Sequence, residues 1–449
     1  MRFGDFSLVA TLGFLLALTA CPSGDDDDAS GDDDVTSADD DSADDDSGDD
    51  DAGDDDSADD DSGDDDSAAE QDRWTFAVFM NGDNNCEEGV TPDLNELELV
   101  GSGDGVNVVV QADRIDGYAT DDGDWTGTRR YFITADGDPE AVSSTVVEDL
   151  GELDMGDPQV LSDFLVWAHT NYPAEHMALI IWNHGDSWTM NVEGSPGDRV
   201  SNLISSDDTD GNSISIAEGE LHTALEAVVQ ARGPLDLVGF DACLMGSWEV
   251  AHSLKDQVLY MIGAETTIYM DEGYVYDRAL MLLRDTEAAA DGAALALEMA
   301  NSAVNGGGEW THSAIDLTTI GDVSVAVDQL AGLALSDGSL KAGLLQARTD
   351  ARGADFGWGN WYLDLYDLAT VLSGSADPQL SAAGDDLLAA MDVAVLGCWG
   401  MGPYSWLGGL TIMFDLNWPD YLDLYAYGDG ATWSQDTRWD DLLLDLTVH

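Results

Sequence analysis

Apolar positions along the chain fall into short, nearly unbroken runs, each closed by turn residues. Thr75 to Met80 (TFAVFM) is one such run, followed by Asn81-Gly82-Asp83-Asn84-Asn85, which predicts a strand and then a turn. Val106 to Gln111 repeats the pattern, and Arg129 to Thr134 predicts an antiparallel addition to the same sheet. Pro158 to Thr170 carries helical periodicity, and Met177 to Trp182 (MALIIW) is a fully apolar strand. Ser215-Ile216-Ala217-Glu218 has the spacing of a capping box and predicts a helix running to about Ala231. Leu235 to Phe240 is the next strand, Gly246 to Lys255 the next helix, and Leu259 to Ala264 another strand. Apolar strands separated by amphipathic helices predict an α/β fold, an αβα sandwich whose mostly parallel sheet is covered on both faces. The segment after about Ala288 is expected to extend that sheet.

The N-terminal region follows a different pattern. Phe6 to Leu18 is an apolar run, short for a membrane span, behind a thin positive start at Arg2. It ends in Leu18-Thr19-Ala20-Cys21, which resembles the lipobox of bacterial lipoproteins, in which the cysteine is lipidated and becomes the new N-terminus. The alternative is an ordinary signal peptide with a chance cysteine. From Asp25 to Asp66 there are 25 Asp and no basic residue, in near-repeats of Asp triplets with Ser, Ala and Gly. Such a stretch has nothing apolar to bury and repels itself, so it is expected to be a disordered spacer with a fully stretched limit of roughly 150 Å. The organisation expected is therefore a signal peptide over residues 1–20, a lipidated Cys21 and spacer over 21–72, and one folded domain over 73–449.

Charge narrows the partners. The chain has 14 Lys and Arg against 92 Asp and Glu. A field of that sign repels nucleic acid and anionic lipid, and it attracts cations and cationic peptides. No nucleic acid is expected, and membrane contact only through the lipid anchor.

Chemistry in a parallel α/β sheet gathers just past the carboxyl ends of the strands. Two strand ends carry suitable residues: Ile180-Ile181-Trp182-Asn183-His184-Gly185 and Leu237-Val238-Gly239-Phe240-Asp241-Ala242-Cys243. A thiol becomes a nucleophile beside a base, and a positioned imidazole supplies one. The glycine after His184 lets the backbone approach a substrate carbonyl, where its N–H can stabilise an oxyanion. A lone Cys or His is more often a packing or surface residue; the paired strand ends are the specific signal.

With these motifs the segment from Trp74 to about Leu444 resembles the clostripain family of cysteine peptidases, relatives of caspases, legumains and gingipains. The matching blocks are Asn81 to Asn85, Asn183-His184-Gly185-Asp186, Asp207-Asp208-Thr209, Asp241-Ala242-Cys243-Leu244-Met245, Tyr362 to Leu368 and Gly408 to Ile412. The resemblance implies a His184–Cys243 dyad with no third residue required to orient the histidine. It implies an oxyanion hole from the N–H groups of Gly185 and Cys243. It also implies cleavage after Arg or Lys, with Asp241 as one acid of the specificity pocket. A second acid should come from the loop holding Asp271 and Glu272, of which Asp271 is preferred; the alternative is that Asp241 only caps a turn and Asp271 is solvated. Family members often cut themselves between the His and Cys strands, and Arg199, the one basic residue from Asp186 to Ser215, is the candidate site. The competing reading of Arg199 is a surface residue without a role.

No cofactor is expected. Some relatives need calcium, which keeps that metal an open alternative, although Asp208-Thr209-Asp210-Gly211 fails the EF-hand spacing, because the first and twelfth positions would be Ser206 and Ala217. With Cys21 lipidated and Cys243 catalytic, Cys86 and Cys398 are left over and could pair in an oxidising compartment; two unpaired thiols are the alternative. The main reading is an exported, lipid-anchored monomeric endopeptidase at a bacterial outer membrane or cell surface. The second reading is a catalytically silent relative that binds peptides or glycans. A third, an Asp-specific peptidase, needs a basic pocket, and Arg278 is the only basic residue between Lys255 and Arg284.

Overall fold

The computed structural model describes residues 71–447, apart from 139–140, 189–202, 269–272, 286–288, 308–310, 353–361, 417–421, 423–424, 427 and 429. The signal peptide, Cys21, the acidic spacer, Arg199, Asp271 and Glu272 lie outside the described residues.

The elements follow in order: β1 (Asp72–Gly82), α1 (Glu87–Glu98), β2 (Val106–Arg114), β3 (Gly127–Phe132), β4 (Thr145–Gly151), α2 (Pro158–Asn171) and β5 (Ala174–Trp182). Then come the short pair β6 (Ile204–Asp207) and β7 (Asn212–Ile214), α3 (Glu220–Arg232), β8 (Leu235–Asp241), α4 (Trp248–Leu254), β9 (Val258–Gly263), α5 (Tyr276–Arg284) and α6 (Gly292–Ser302). The last part holds β10 (Thr311–Asp316), α7 (Ile320–Ser336), α8 (Gly338–Asp350), β11 (Tyr362–Asp364), α9 (Leu365–Ser373), α10 (Pro378–Ala394), β12 (Val395–Gly400) and β13 (Thr411–Met413), with two short helices after it.

Nine strands form one sheet in the order β12-β10-β9-β8-β5-β1-β2-β3-β4. The five from β9 to β2 are parallel, and an antiparallel pair extends each side. The expectation that the later segment extends the same sheet is met by β10 and β12. The parallel strands are apolar throughout because both faces are covered. Ala77 and Phe79 of β1 join one core with α2, α3, α4 and α7, while Phe76, Val78 and Met80 join the other with α1, α5 and α6. Strand β5 divides in the same way, with Leu179 and Ile181 on the first side and Ala178, Ile180 and Trp182 on the second.

Helix starts follow local chemistry. Asp157 caps α2 by accepting Gln159 N–H at 2.8 Å, with Pro158 at the first turn where its missing donor costs nothing. The predicted capping box at Ser215 forms differently. Ser215 Oγ accepts Glu218 N–H at 3.1 Å, but the reciprocal carboxylate is Glu220, and Gly219 at φ 79° separates that turn from α3.

Candidate active site

The parallel strands run β2-β1-β5-β8-β9 across the sheet, so the chain reverses its direction of travel between β1 and β5. In open α/β sheets the ligand crevice lies past the carboxyl ends at such a point. The register aligns those ends: Met80 lies opposite Trp182, and Trp182 opposite Asp241. His184 and Cys243 each come two residues after that row. A cleft of about 350 Å³ opens there, lined by Asn85, Cys86, Trp182, Asn183, His184, Asp241, Cys243, Thr267, Ile268 and Gly273. The two residues chosen as the dyad, and Asp241, therefore share one cleft.

Cys243 stands on a constrained loop. Leu244, directly after it, holds φ 63°, a left-handed conformation that costs a non-glycine residue free energy. Backbone bonds from Leu244 N–H to Thr266 O (2.9 Å) and Gly246 N–H to Ala264 O (2.7 Å) tie the loop to the segment after β9. Thr411 N–H donates to Gly246 O at 2.9 Å, so the Gly408–Ile412 block buttresses the Cys243 loop. Ile268 N–H points at Cys243 Sγ at 3.3 Å. Gly185 packs directly on this loop: a Cβ there would lie 2.5 Å from Cys243 O. The His-Gly dipeptide is thus required for close approach of the loops that carry His184 and Cys243.

His184 is half-buried, and burial pushes its imidazole below the usual histidine range, with Asp208 opposing the shift. A neutral ring at neutral pH is free to accept a proton. Its Nε2 lies 2.9 Å from Asn85 Oδ1 and 3.5 Å from Cys86 Sγ. Asn85 thus orients the histidine, a partner that the sequence reading did not assign. Glu87 holds this corner through a fully buried ion pair with Arg114 at 2.5 Å.

The Asn81–Asn85 motif is a bracket for the site. Asn81 Nδ2 and Asn84 Nδ2 both donate to Ser206 O, at 2.9 and 2.6 Å, and Ser206 N–H donates to Asn183 Oδ1 at 2.9 Å. Thr209 donates from its N–H and Oγ1 to the Asp83 carboxylate, at 3.0 and 2.8 Å. The Asp207-Asp208-Thr209 block is thereby fastened beside the cleft. Beneath it, one carboxylate oxygen each from Asp83, Asp113 and Glu152 lies within 4.8 Å of the others, and Glu152, Asp207 and Asp210 form a second such group. Burial pushes Asp113 up to about 8 and Asp207 up to about 6.

The pairing of Cys86 with Cys398 is incorrect. Cys86 sits in the cleft beside His184, whereas Cys398 is buried on β12 and donates to Leu407 O at 3.2 Å. Five strand spacings of about 4.8 Å separate β1 from β12, far beyond the ~7 Å between Cα atoms that a disulfide spans. None of the three described cysteines is joined in a disulfide. Burial, then the negative groups Cys243, Asp241 and Asp208, push the Cys86 thiol up to about 12.

Residues 78–379 match the model of the clostripain family. The chain belongs to the clostripain family. A curated relative, clostripain of Hathewaya histolytica, is 29% identical over 196 residues, which cover 40% of this chain and 36% of that protein. The match thus spans just over a third of that relative's length. Two solved structures share the fold. A secreted C11 cysteine protease from Bacteroides thetaiotaomicron, in complex with an irreversible peptide inhibitor, has a TM-score of 0.57 at 18% identity, covering 81% of this chain and 99% of that one. An inactive zymogen C11 protease from Parabacteroides distasonis has a TM-score of 0.58 at 17% identity, covering 81% and 97%. The mixed sheet with helices on both faces is the fold of this clostripain-family chain.

Proposed function

We propose that the protein is an exported cysteine endopeptidase that cleaves after Arg or Lys, with Cys243 as nucleophile and His184 as acid–base partner. The observation that carries this reading is the aligned row of strand ends, which delivers both side chains and Asp241 into one cleft. The Cys243 thiol gives its proton toward His184, and the thiolate attacks the substrate carbonyl. The N–H groups of Gly185 and Cys243 stabilise the oxyanion, His184 protonates the leaving amine, and water then hydrolyses the thioester. Asn85 keeps the imidazole in position through the whole sequence. Cys86 also touches the imidazole, but its buried, negatively surrounded thiol stays protonated, so it is a poor nucleophile.

The assignment of a basic residue before the scissile bond follows from the clostripain-family resemblance, and the place of Asp241 in the cleft supports it. A panel of short substrates differing only at that residue tests the specificity. Cleavage of Arg and Lys members is expected, and cleavage of Asp members alone would refute it. Arg199 is the proposed self-cleavage site, tested by a denaturing gel of wild type beside Cys243→Ala. Cys21 is the proposed lipid anchor, tested by membrane fractionation of Cys21→Ser. Among the described residues no helix is long and apolar enough to cross a membrane.

The chemical step is assigned to the Cys243 and His184 side chains and to the backbone N–H groups of Gly185 and Cys243. Calcium would find a fitting donor set in either of two carboxylate groups that share Glu152, one with Asp83 and Asp113 and the other with Asp207 and Asp210, since both offer only oxygen, as hard cations require. Bound there, it would neutralise crowded carboxylates and stiffen the bracket that carries Asn85.

A further inference from the structure

Among the described residues one acid, Asp241, lines the cleft, and a second lies close behind it. Trp182 and Asp241 are paired in register on neighbouring strands. Trp182 belongs to the core on the face where α1 and α5 pack, together with Leu94 of α1 and Tyr276 of α5. Its side chain lines the cleft, while its indole N–H donates to Asp93 Oδ2 of α1 at 2.6 Å. Asp241 Oδ2 accepts the Tyr276 hydroxyl at 2.8 Å and the Tyr274 N–H at 3.3 Å. Gly273 stands before the same carboxylate: a Cβ there would lie 3.1 Å from both Asp241 oxygens, so the glycine keeps that face open to the cleft.

Every donor to these two carboxylates is a neutral group. Among the described residues no Lys or Arg pairs with Asp93, Glu96 or Asp241. The other titratable groups facing them are Glu96 on α1, Tyr274, Tyr276 and Asp277 around the start of α5, His312 on β10, and Cys86. His312 meets Tyr274 edge-on at 5.0 Å, and burial pushes its imidazole down to about 4, so it adds no charge at neutral pH. Burial first, and then repulsion among neighbouring carboxylates, hold Asp93 above the usual carboxylate range, and burial does the same for Asp241. Glu96 is pushed up to about 7. Like charges gathered beside an open cleft, with no Lys or Arg among the described residues paired to them, suit a cation brought by the substrate.

We propose that Asp93 is a specificity-determining residue, supplying the second negative charge of the pocket across the Trp182 indole so that Asp93 and Asp241 together hold the cationic side chain of the residue before the scissile bond. This inference rests on the reading of the cleft as a pocket for Arg or Lys. Binding of the cation drives a proton from the carboxyl cluster into solvent. The KM of a cationic substrate therefore falls as pH rises through the range where the cluster loses its protons, and the KM of a neutral one does not.

The test uses the full purified chain with two matched peptide substrates, one ending in arginine and one in citrulline, its uncharged isostere. Asp93→Asn keeps an acceptor for the indole and removes the charge. It should raise KM for the arginine peptide roughly tenfold, because the attraction of the charge at an effective dielectric near 20 is largely offset by the cost of ionising a carboxyl held above its usual range. It should leave kcat nearly unchanged, leave both constants for citrulline unchanged, and flatten the pH dependence of KM. Trp182→Phe, which cuts the link from cleft to Asp93, should give a smaller rise, and it decides the matter should Asp93→Asn fail to fold. Equal KM values for arginine in wild type and both variants, or parallel changes for the two peptides, would overturn the proposal. A wild type that does not distinguish arginine from citrulline would refute the basic-pocket reading itself. A preference that survives Asp93→Asn intact sinks only the role of Asp93.

Discussion

Replacing Gly185 by alanine puts a Cβ 2.5 Å from Cys243 O, 2.9 Å from Ala242 Cβ and 3.0 Å from Met245 Cγ. Ordinary close C···O approaches are about 3.3–3.6 Å, so the first contact is short by roughly 1 Å. The atom it meets is backbone, held by the bonds of Leu244 and Gly246 to the segment after β9, and cannot swing aside. Overpacking of this kind costs about 1–3 kcal/mol of stability. The catalytic consequence is larger. Pushing the His184 and Cys243 loops apart by about 1 Å costs on the order of 10² in rate, and displacing the Gly185 N–H from the oxyanion costs a comparable factor. Gly185→Ala is therefore expected to lower kcat by at least about 10², with KM nearly unchanged and the melting temperature down by only a few degrees. Steady-state kinetics on an Arg-ending peptide, with a thermal melt of each protein, provides the measurement. A variant with kcat within about threefold of wild type and an unchanged melt would show that the two loops do not depend on this close approach.

Further expectations concern the histidine, the thiols and the carboxylates. Asn85→Ala removes the partner of His184 Nε2 and should lower kcat about tenfold while sparing KM, since part of a general-base contribution is lost; an unchanged kcat would remove Asn85 from the account. Iodoacetamide at neutral pH should label Cys243 first, Cys86 slowly and Cys398 only after unfolding; recovery of a Cys86–Cys398 disulfide would contradict the sheet order. Burial raises Asp113 to about 8 and Glu249 to about 7, so the folded protein keeps protons that the unfolded chain has released. Stability from these groups is full below the ordinary carboxylate range and is lost as pH rises through the raised values. His252 and His312, both lowered to about 4, act oppositely, losing stability as pH falls below the ordinary histidine value. Calorimetry should thus find the melting temperature falling from about pH 6.5 to about pH 8.5, and a rise over that window would refute the buried-carboxyl account.

The catalytic strands were legible because they are buried on both faces. Phe76 to Met80, Met177 to Trp182 and Leu235 to Phe240 read as unbroken apolar runs, and the residues just past them became candidates at once. The contacts that complete the site join distant positions and leave no local pattern. Asn85 meets His184 across 99 residues, and Asp93 meets Trp182 across 89, from a helix whose polar positions resemble any solvated face. The cysteines were paired by elimination, and elimination carries no distance; only the strand order places Cys86 in the cleft and Cys398 at the far edge. Ser215 showed a cap by spacing, but Gly219 at φ 79° moved the helix start beyond it.

The proposed mechanism makes Cys243, and not Cys86, the nucleophile served by His184. Its most direct test is the reaction of the intact protein with an arginine-ending peptide chloromethyl ketone, followed by peptide mapping. A single adduct on Cys243, absent in Cys243→Ala and strongly slowed in His184→Ala, is the result predicted. An adduct on Cys86, or peptide hydrolysis that survives Cys243→Ala, would contradict it.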